Sequence, residues 1–215
     1  VEDSLIRTTA NASASNDALY ADLKGQMEAN PTKVKAWFDR AQYVKNMSDS
    51  LYQLAEELKL RIVRQADGKD GNVKNVRNKE DLEAATAVML SPRKGEGERL
   101  YKAINHFGER IVSMVTDENQ KKIISDNLNT DVPQKESALG KNWQEYMFEN
   151  MPVAAAVTLL SKLQSDVRYA EGEVLHSLVS NIDIKDLRVN QLNAYVIPSS
   201  RTVVQGGKLS AQIIM

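Results

Sequence analysis

The sequence contains no cysteine. That absence excludes disulfides, thiolate metal sites and a cysteine nucleophile, and it leaves both the cytosol and an oxidising compartment open. Glycine and proline are scarce, with 10 and 5 residues in a chain of 215. So few breakers predict long, uninterrupted helices. An excess of one charge is also missing. The 28 basic and 29 acidic side chains leave a formal net charge of −1, which gives no electrostatic footprint for nucleic acid. The longest uncharged stretch in the body runs 12 residues from Asn150 to Ser161, short of the ~20 apolar residues that cross a bilayer. Val1-Glu2-Asp3 is acidic where a secretory signal would be basic and then apolar. With no initial Met, the sequence reads as a piece of a longer chain, large enough for one domain and part of another.

What is present is helical periodicity. Residues 1–29 permit one helix, although Ala10 to Asn16 is small and polar; either that run frays or it packs closely on a neighbour. Asn30 as cap and Pro31 at the first helical position open a second helix. Its apolar residues Val34, Trp37, Ala41, Val44, Met47, Leu51, Leu54, Leu58 and Ile62 recur at gaps of three and four. It is expected to end near Gln65, at roughly 50 Å long. A polar loop over 66–79 precedes a short helix capped by Asn78, with Leu82, Val88, Met89 and Leu90 on its apolar side. From Gly97 the stripe Leu100, Ile104, Phe107, Ile111 and Met114 marks another helix. Asp117 with Gln120 resembles a capping box that starts a new helix or a kink, ending near Leu128. Asn129 to Gly140 reads as loop. The last helix, from Pro152 to about Asn181, bears the seam Val153, Val157, Leu160, Leu163, Val167, Ala170, Val174 and Leu178.

Then the texture changes. Leu192 to Pro198 and Arg201 to Gln205 are rich in strand formers, Gly206-Gly207 is a hairpin signal, and Leu209, Ala211 and Ile213 alternate with polar residues. The expected fold is mainly α: an elongated antiparallel helical bundle over 1–188, followed over 189–215 by the first strands of a truncated β-sandwich-like domain. An even number of crossings would return the chain to its starting end, so either the link at 183–192 runs back along the bundle or the break at Asp117 changes the count.

The search for chemistry yields little. His106 and His176 stand apart from any ligand set and read as helix-surface residues. Lys94-Gly95-Glu96-Gly97-Glu98-Arg99 lacks the strand and the Lys-Ser/Thr of a phosphate loop and reads as a flexible connector. Glu56-Glu57 and Glu171/Glu173 read as solvated helix faces. No serine has a nucleophile-elbow context, and neither a cofactor, a metal nor an enzyme is indicated. Trp143, Tyr146, Phe148, Met151 and Pro152 gather large apolar groups before the last helix, either as a structural plug at the end of the bundle or as a docking patch.

The segment Asn142-Trp143-Gln144-Glu145-Tyr146-Met147-Phe148-Glu149-Asn150-Met151-Pro152, continuing through Leu163-Gln164-Ser165-Asp166-Val167-Arg168, resembles the GldM/PorM family. Trp37-Phe38-Asp39-Arg40-Ala41-Gln42 and Ala194-Tyr195-Val196-Ile197-Pro198 with Gly206-Gly207-Lys208 are similar to it as well. The resemblance implies a non-enzymatic periplasmic shaft, anchored in the inner membrane and assembled as a homodimer, in the type IX secretion and gliding machinery. It further implies a transmembrane helix inserted among GldL/PorL-type subunits, a motor driven by the proton gradient, and motion passed to an outer-membrane-associated GldK–GldN-type ring. The sequence departs from the family pattern in lacking that membrane helix and most of the β domains. The acidic start fits a chain cut just after a membrane span. The alternative is a periplasmic sensory four-helix bundle, which needs a polar pocket and would be favoured by buried Arg, Asn or Thr among the seams. The seams read as almost wholly apolar, which argues against a pocket, and the β-hairpin end argues against a third possibility, a cytosolic coiled-coil scaffold.

Overall fold

A computed structural model describes residues 2–92, 95–190, 195–198 and 211–214, as backbone alone at Glu2 and from 183 onward. The chain divides into two compact units, Val1–Leu178 and Val179–Met215. The architecture is mainly helical: α1 (Glu2–Ala29), α2 (Pro31–Asp67), α3 (Glu83–Met89), α4 (Glu96–Met114), α5 (Glu118–Asn127), α6 (Gln134–Ala138), α7 (Trp143–Phe148) and α8 (Val153–Asn190). The only strands among the described residues are β1 (Tyr195–Pro198) and β2 (Ala211–Ile214). They pair antiparallel, with Tyr195 opposite Ile214 and Pro198 opposite Ala211. The described residues extend to this one ladder and not to a sandwich. The expected strand over Arg201 to Gln205, the Gly206-Gly207 turn and Leu209 lie outside them.

The first unit is built on the predicted stripes. In α2 the buried apolar positions are Val34, Phe38, Ala41, Val44, Leu51, Leu54, Ala55, Leu58, Ile62 and Val63. In α8, Val153, Val157, Leu160, Val167, Ala170, Val174 and Leu178 are buried, and in α4 Leu100, Ile104, Phe107 and Ile111. Four positions expected in these seams are displaced to their edges. Phe38, stacked on Tyr20 at 5.4 Å, holds the core position next to Trp37, whose half-buried ring lies under Arg40. Met47, Met114 and Leu163 are likewise half-buried.

The joint between α1 and α2 is a single residue. Asn30 (φ −143°, ψ 75°) still donates its N–H to Gln26 O at 2.9 Å, and its own C=O accepts from Val34 N at 3.1 Å. The helical ladder therefore loses almost nothing as the chain reverses. A proline next in sequence keeps Asn30 out of the helical region. Its side chain makes no cap bond. Tyr20 against Phe38 and Asp17 against Lys45 show α1 running antiparallel along α2. The small residues of its middle form continuous helix, so the run does not fray, but within it Asn16 is buried while Ala10, Asn11, Ala14 and Ser15 are exposed.

Elsewhere the elements differ from expectation in bounds and caps. α2 runs two residues beyond Gln65, and α8 runs to Asn190 rather than Asn181. The cap of α3 is supplied by Asp81, whose Oδ1 accepts from Glu83 N and Ala84 N at 2.8 and 2.9 Å. Asn78 instead reaches back to Ala66 O, and Leu82 is 47% exposed. The loop after α5 contains the short α6. Glu96 and Gly97, expected in a flexible connector, form the buried first turn of α4. Asp117 Oδ1 does cap Gln120 N at 2.9 Å, but the Gln120 side chain accepts from the Tyr169 hydroxyl, so the box is half formed. A complete box stands at Asn142 and Glu145, each side chain bonded to the other's backbone N–H at 2.9 Å.

Candidate functional site

Two arrangements stand out in the first unit. The first is the segment before α8. Trp143 and Phe148 are buried, with rings 5.9 Å apart and nearly perpendicular, and Tyr101 stacks on Trp143 at 5.7 Å. Phe148 O accepts from Thr86 Oγ1, which in turn accepts from Asn150 N at 2.9 Å. Asn150 takes a left-handed conformation, φ 52°, that turns the chain into α8. Met151 and Pro152 are half-buried. The first free amides of α8 donate to carbonyls of the loop that leads into α3, Val153 N to Asp81 O and Ala154 N to Lys79 O. Tyr146, on the same short helix, is 39% exposed.

The second arrangement is a buried polar ladder. α2 presents Lys45, Asp49, Tyr52, Glu56 and Lys59 at gaps of four, three, four and three; α8 presents Ser161, Gln164, Arg168 and Glu171 at gaps of three, four and three. One helical face of each therefore meets the other, with Thr9 and Asn16 of α1 buried nearby. At one level Lys59 Nζ reaches Gln164 Oε1 and Glu56 Oε2, each at 2.7 Å, while Gln164 Nε2 donates to Tyr52 O and Glu56 Oε2. At the next level Arg168 pairs with Glu171 and Asp49, each at 2.8 Å, and lies over the Tyr52 ring at 4.6 Å. Asn16 Nδ2 bridges Arg168 O at 2.8 Å and Glu171 Oε2 at 3.2 Å. Lys45 links Asp17 of α1 to Asp49 at the rim. Gly172 makes room for this: a Cβ there would lie 2.7 Å from Asn16 Oδ1.

The electrostatics differ between the two levels. Burial pushes the Glu56 carboxyl up, but the bonds from Lys59 and Gln164 outweigh it and hold Glu56 below the usual range. At Glu171 burial wins over Arg168, Lys45 and Asn16, and the carboxyl is raised. Burial also raises Asp166, against the pull of Lys162. Beside the lower level opens a cleft of about 550 Å³, bordered by Ile6, Thr9, Glu56, Lys59, Ser161 and Gln164. Its floor is self-paired: the Lys59 ammonium and the Gln164 amide already engage the neighbours that a ligand would replace.

The seams are thus not almost wholly apolar. Glu171, read as part of a solvated face, is 1% exposed, and Asn16 and Lys59 are 4% and 5% exposed. The sequence did contain the signal, as a polar stripe of period 3.5 beside each apolar one. His106 and His176 sit on exposed helix surface. No group of His, Asp and Glu among the described residues is arranged to hold a metal, and no described helix is long and apolar enough to cross a membrane.

Among curated proteins none matches the chain. A family model does: residues 1–181 match the GldM N-terminal domain. That match spans α1 through most of α8, including both the Trp143–Pro152 segment and the polar ladder, and the chain belongs to the GldM/PorM family of gliding and type IX secretion components.

Proposed function

We propose that this chain is a non-enzymatic, force-transmitting part of a periplasmic shaft, held at the inner membrane in its full-length form. It works as a homodimer, receives motion from a GldL/PorL-type motor driven by the proton gradient, and passes it to a GldK–GldN-type ring at the outer membrane. One observation supports the reading above all others: within the first unit, α2 and the part of α8 up to Leu178 are locked side by side by an apolar seam and a polar ladder in one register. A paired ladder resists sliding, because a shift of one helical turn would strand every buried charge. Such a body moves as one piece. The exposed Tyr146 and the half-buried Met151 and Pro152 beside the Trp143–Phe148 plug are the proposed docking face of this domain.

Stiffness across the end of α8 can be tested in cells. A flexible Gly/Ser insertion after Asn190 in the full-length protein should abolish or severely reduce type IX export while leaving its abundance unchanged. Normal export would overturn the role in force transmission.

A second reading, the sensory bundle, is favoured by the buried Asn16 and Thr9, by the half-buried Arg168 and by the cleft beside Lys59. The self-paired floor of that cleft makes it the weaker of the two.

A further inference from the structure

The upper level of the ladder has an uneven charge count. Lys45 and Arg168 supply two cations; Asp17, Asp49 and Glu171 supply three carboxylates. These come from all three helices that meet there: Asp17 from α1, Lys45 and Asp49 from α2, and Arg168 and Glu171 from α8. Of the acids, Glu171 is the one shut from solvent. Both of its protein contacts converge on Oε2, from Arg168 Nη1 and Asn16 Nδ2, while Oε1 is buried without a partner. Arg168 Nε and Ser48 Oγ, each on a helix of this level, are also buried and unpartnered among the described residues. A carboxyl group with one satisfied and one bare oxygen in a level that is one negative charge in excess has a place for one proton. The lid over it is α1. Asn16 lies across Glu171, and Leu23 is the one fully buried large apolar side chain that α1 contributes.

We propose that closure of α1 over the α2–α8 face is proton-linked: Glu171 takes up a proton as Asn16 is laid across it and releases that proton when α1 lifts. Burial raises the Glu171 carboxyl above its ordinary 4.5, in keeping with this. The sign follows. A group raised in the closed state contributes its full stabilisation at and below pH 4.5, and the contribution is lost as pH rises through the raised value. Falling pH therefore tightens α1. One proton changes the opening equilibrium by at most about tenfold per pH unit.

The experiment has two readouts on the full chain. The ¹³C carboxyl resonance of Glu171, assigned by its loss in Glu171→Gln, is expected to titrate with a midpoint above 4.5; a midpoint at or below 4.5 overturns the proposal. Hydrogen-exchange protection factors, corrected for intrinsic rates, are expected to rise in α1 between pH 8 and pH 5 in wild type relative to Glu171→Gln. A wild-type-to-variant ratio independent of pH overturns it, as does a change of equal size in α5, since the proton would then belong to unfolding at large. Asp49→Asn keeps the test open if Glu171→Gln does not fold. Removing one of the three negative charges should lower the Glu171 midpoint, with the resonance assigned from a sequential backbone experiment. An unchanged midpoint would overturn the charge balance on which the proposal stands.

Discussion

Two glycines show how differently the same residue type is used. At Gly97 a Cβ would lie 2.7 Å from Met89 O and from the Gln144 side chain, so α3, α4 and α7 meet there with no room for a methyl group. Because the obstacle includes backbone, it cannot rotate away. Gly97→Ala is expected to lower stability by about 1–3 kcal/mol in urea denaturation. Gly25, inside α1, has nothing within 4 Å. There alanine only removes conformational freedom from the unfolded chain, and Gly25→Ala should raise stability by about 0.5–1 kcal/mol. Equal effects at the two sites would contradict the packing described around Gly97. The role of Gly97 was not legible in the sequence, since Lys94 to Arg99 reads as a connector until Met89 O, at the end of α3, and Gln144, from the distant α7, are brought against it. The buried Glu171 escaped for a related reason. A carboxylate flanked by Arg168 and Glu173 looks solvated in one dimension, and it is the arrival of Asn16 from α1 on Glu171, and of Asp49 from α2 on its partner Arg168, that builds the buried level.

At the scale of elements, the helices owe their starts to different devices. The Asn142–Glu145 box satisfies two backbone amides reciprocally, and it sets α7, hence Trp143 and Phe148, against α4. Asn142→Ala should cost about 1 kcal/mol in thermal or urea unfolding. Asn30 looks like the better cap in sequence, followed as it is by Pro31, yet its side chain makes no cap bond. Asn30→Ala should therefore change stability by no more than a few tenths of a kcal/mol, and a loss matching that at Asn142 would refute this account of the joint. The long helices were legible because apolar residues at gaps of three and four identify a buried face whatever it packs against. Short elements were not. α6 has five residues and buries none of them, so no apolar stripe marks it; Asp81 rather than Asn78 caps α3 through bonds to Glu83 N and Ala84 N; and half of the box expected at Asp117 is diverted because Tyr169 competes for the Gln120 side chain.

For the molecule as a whole, the helices of the first unit are not equally held. α2 and α8 bury continuous apolar faces, whereas α1 contributes Leu23 together with the polar Thr9 and Asn16. Buried ion pairs contribute far less net stability than apolar burial of the same area, so local opening should begin with α1. Native-state hydrogen exchange at fixed pH is expected to show α1 amides about Asn16 exchanging at least tenfold faster than those about Leu54 and Leu160, both at the centre of the core. Uniform protection across the three helices would mean that α1 opens only with the whole domain. Fold class was legible from composition, because few breakers and sustained periodicity leave little but helices. The order of stability among the helices was not, since it rests on which polar stripes become buried.

The one-residue joint at Asn30 gives the attachment of α1 a direction. α1 lies antiparallel beside α2, fastened by Asp17 to Lys45 and by Asn16 to Arg168 and Glu171. Tension along its axis loads these fastenings together, in shear, and all must fail at once. Sideways tension opens them one after another, like a zip starting from the end farthest from Asn30. The same helix is thus a strong tether for a lengthwise pull and a weak one for a lateral pull.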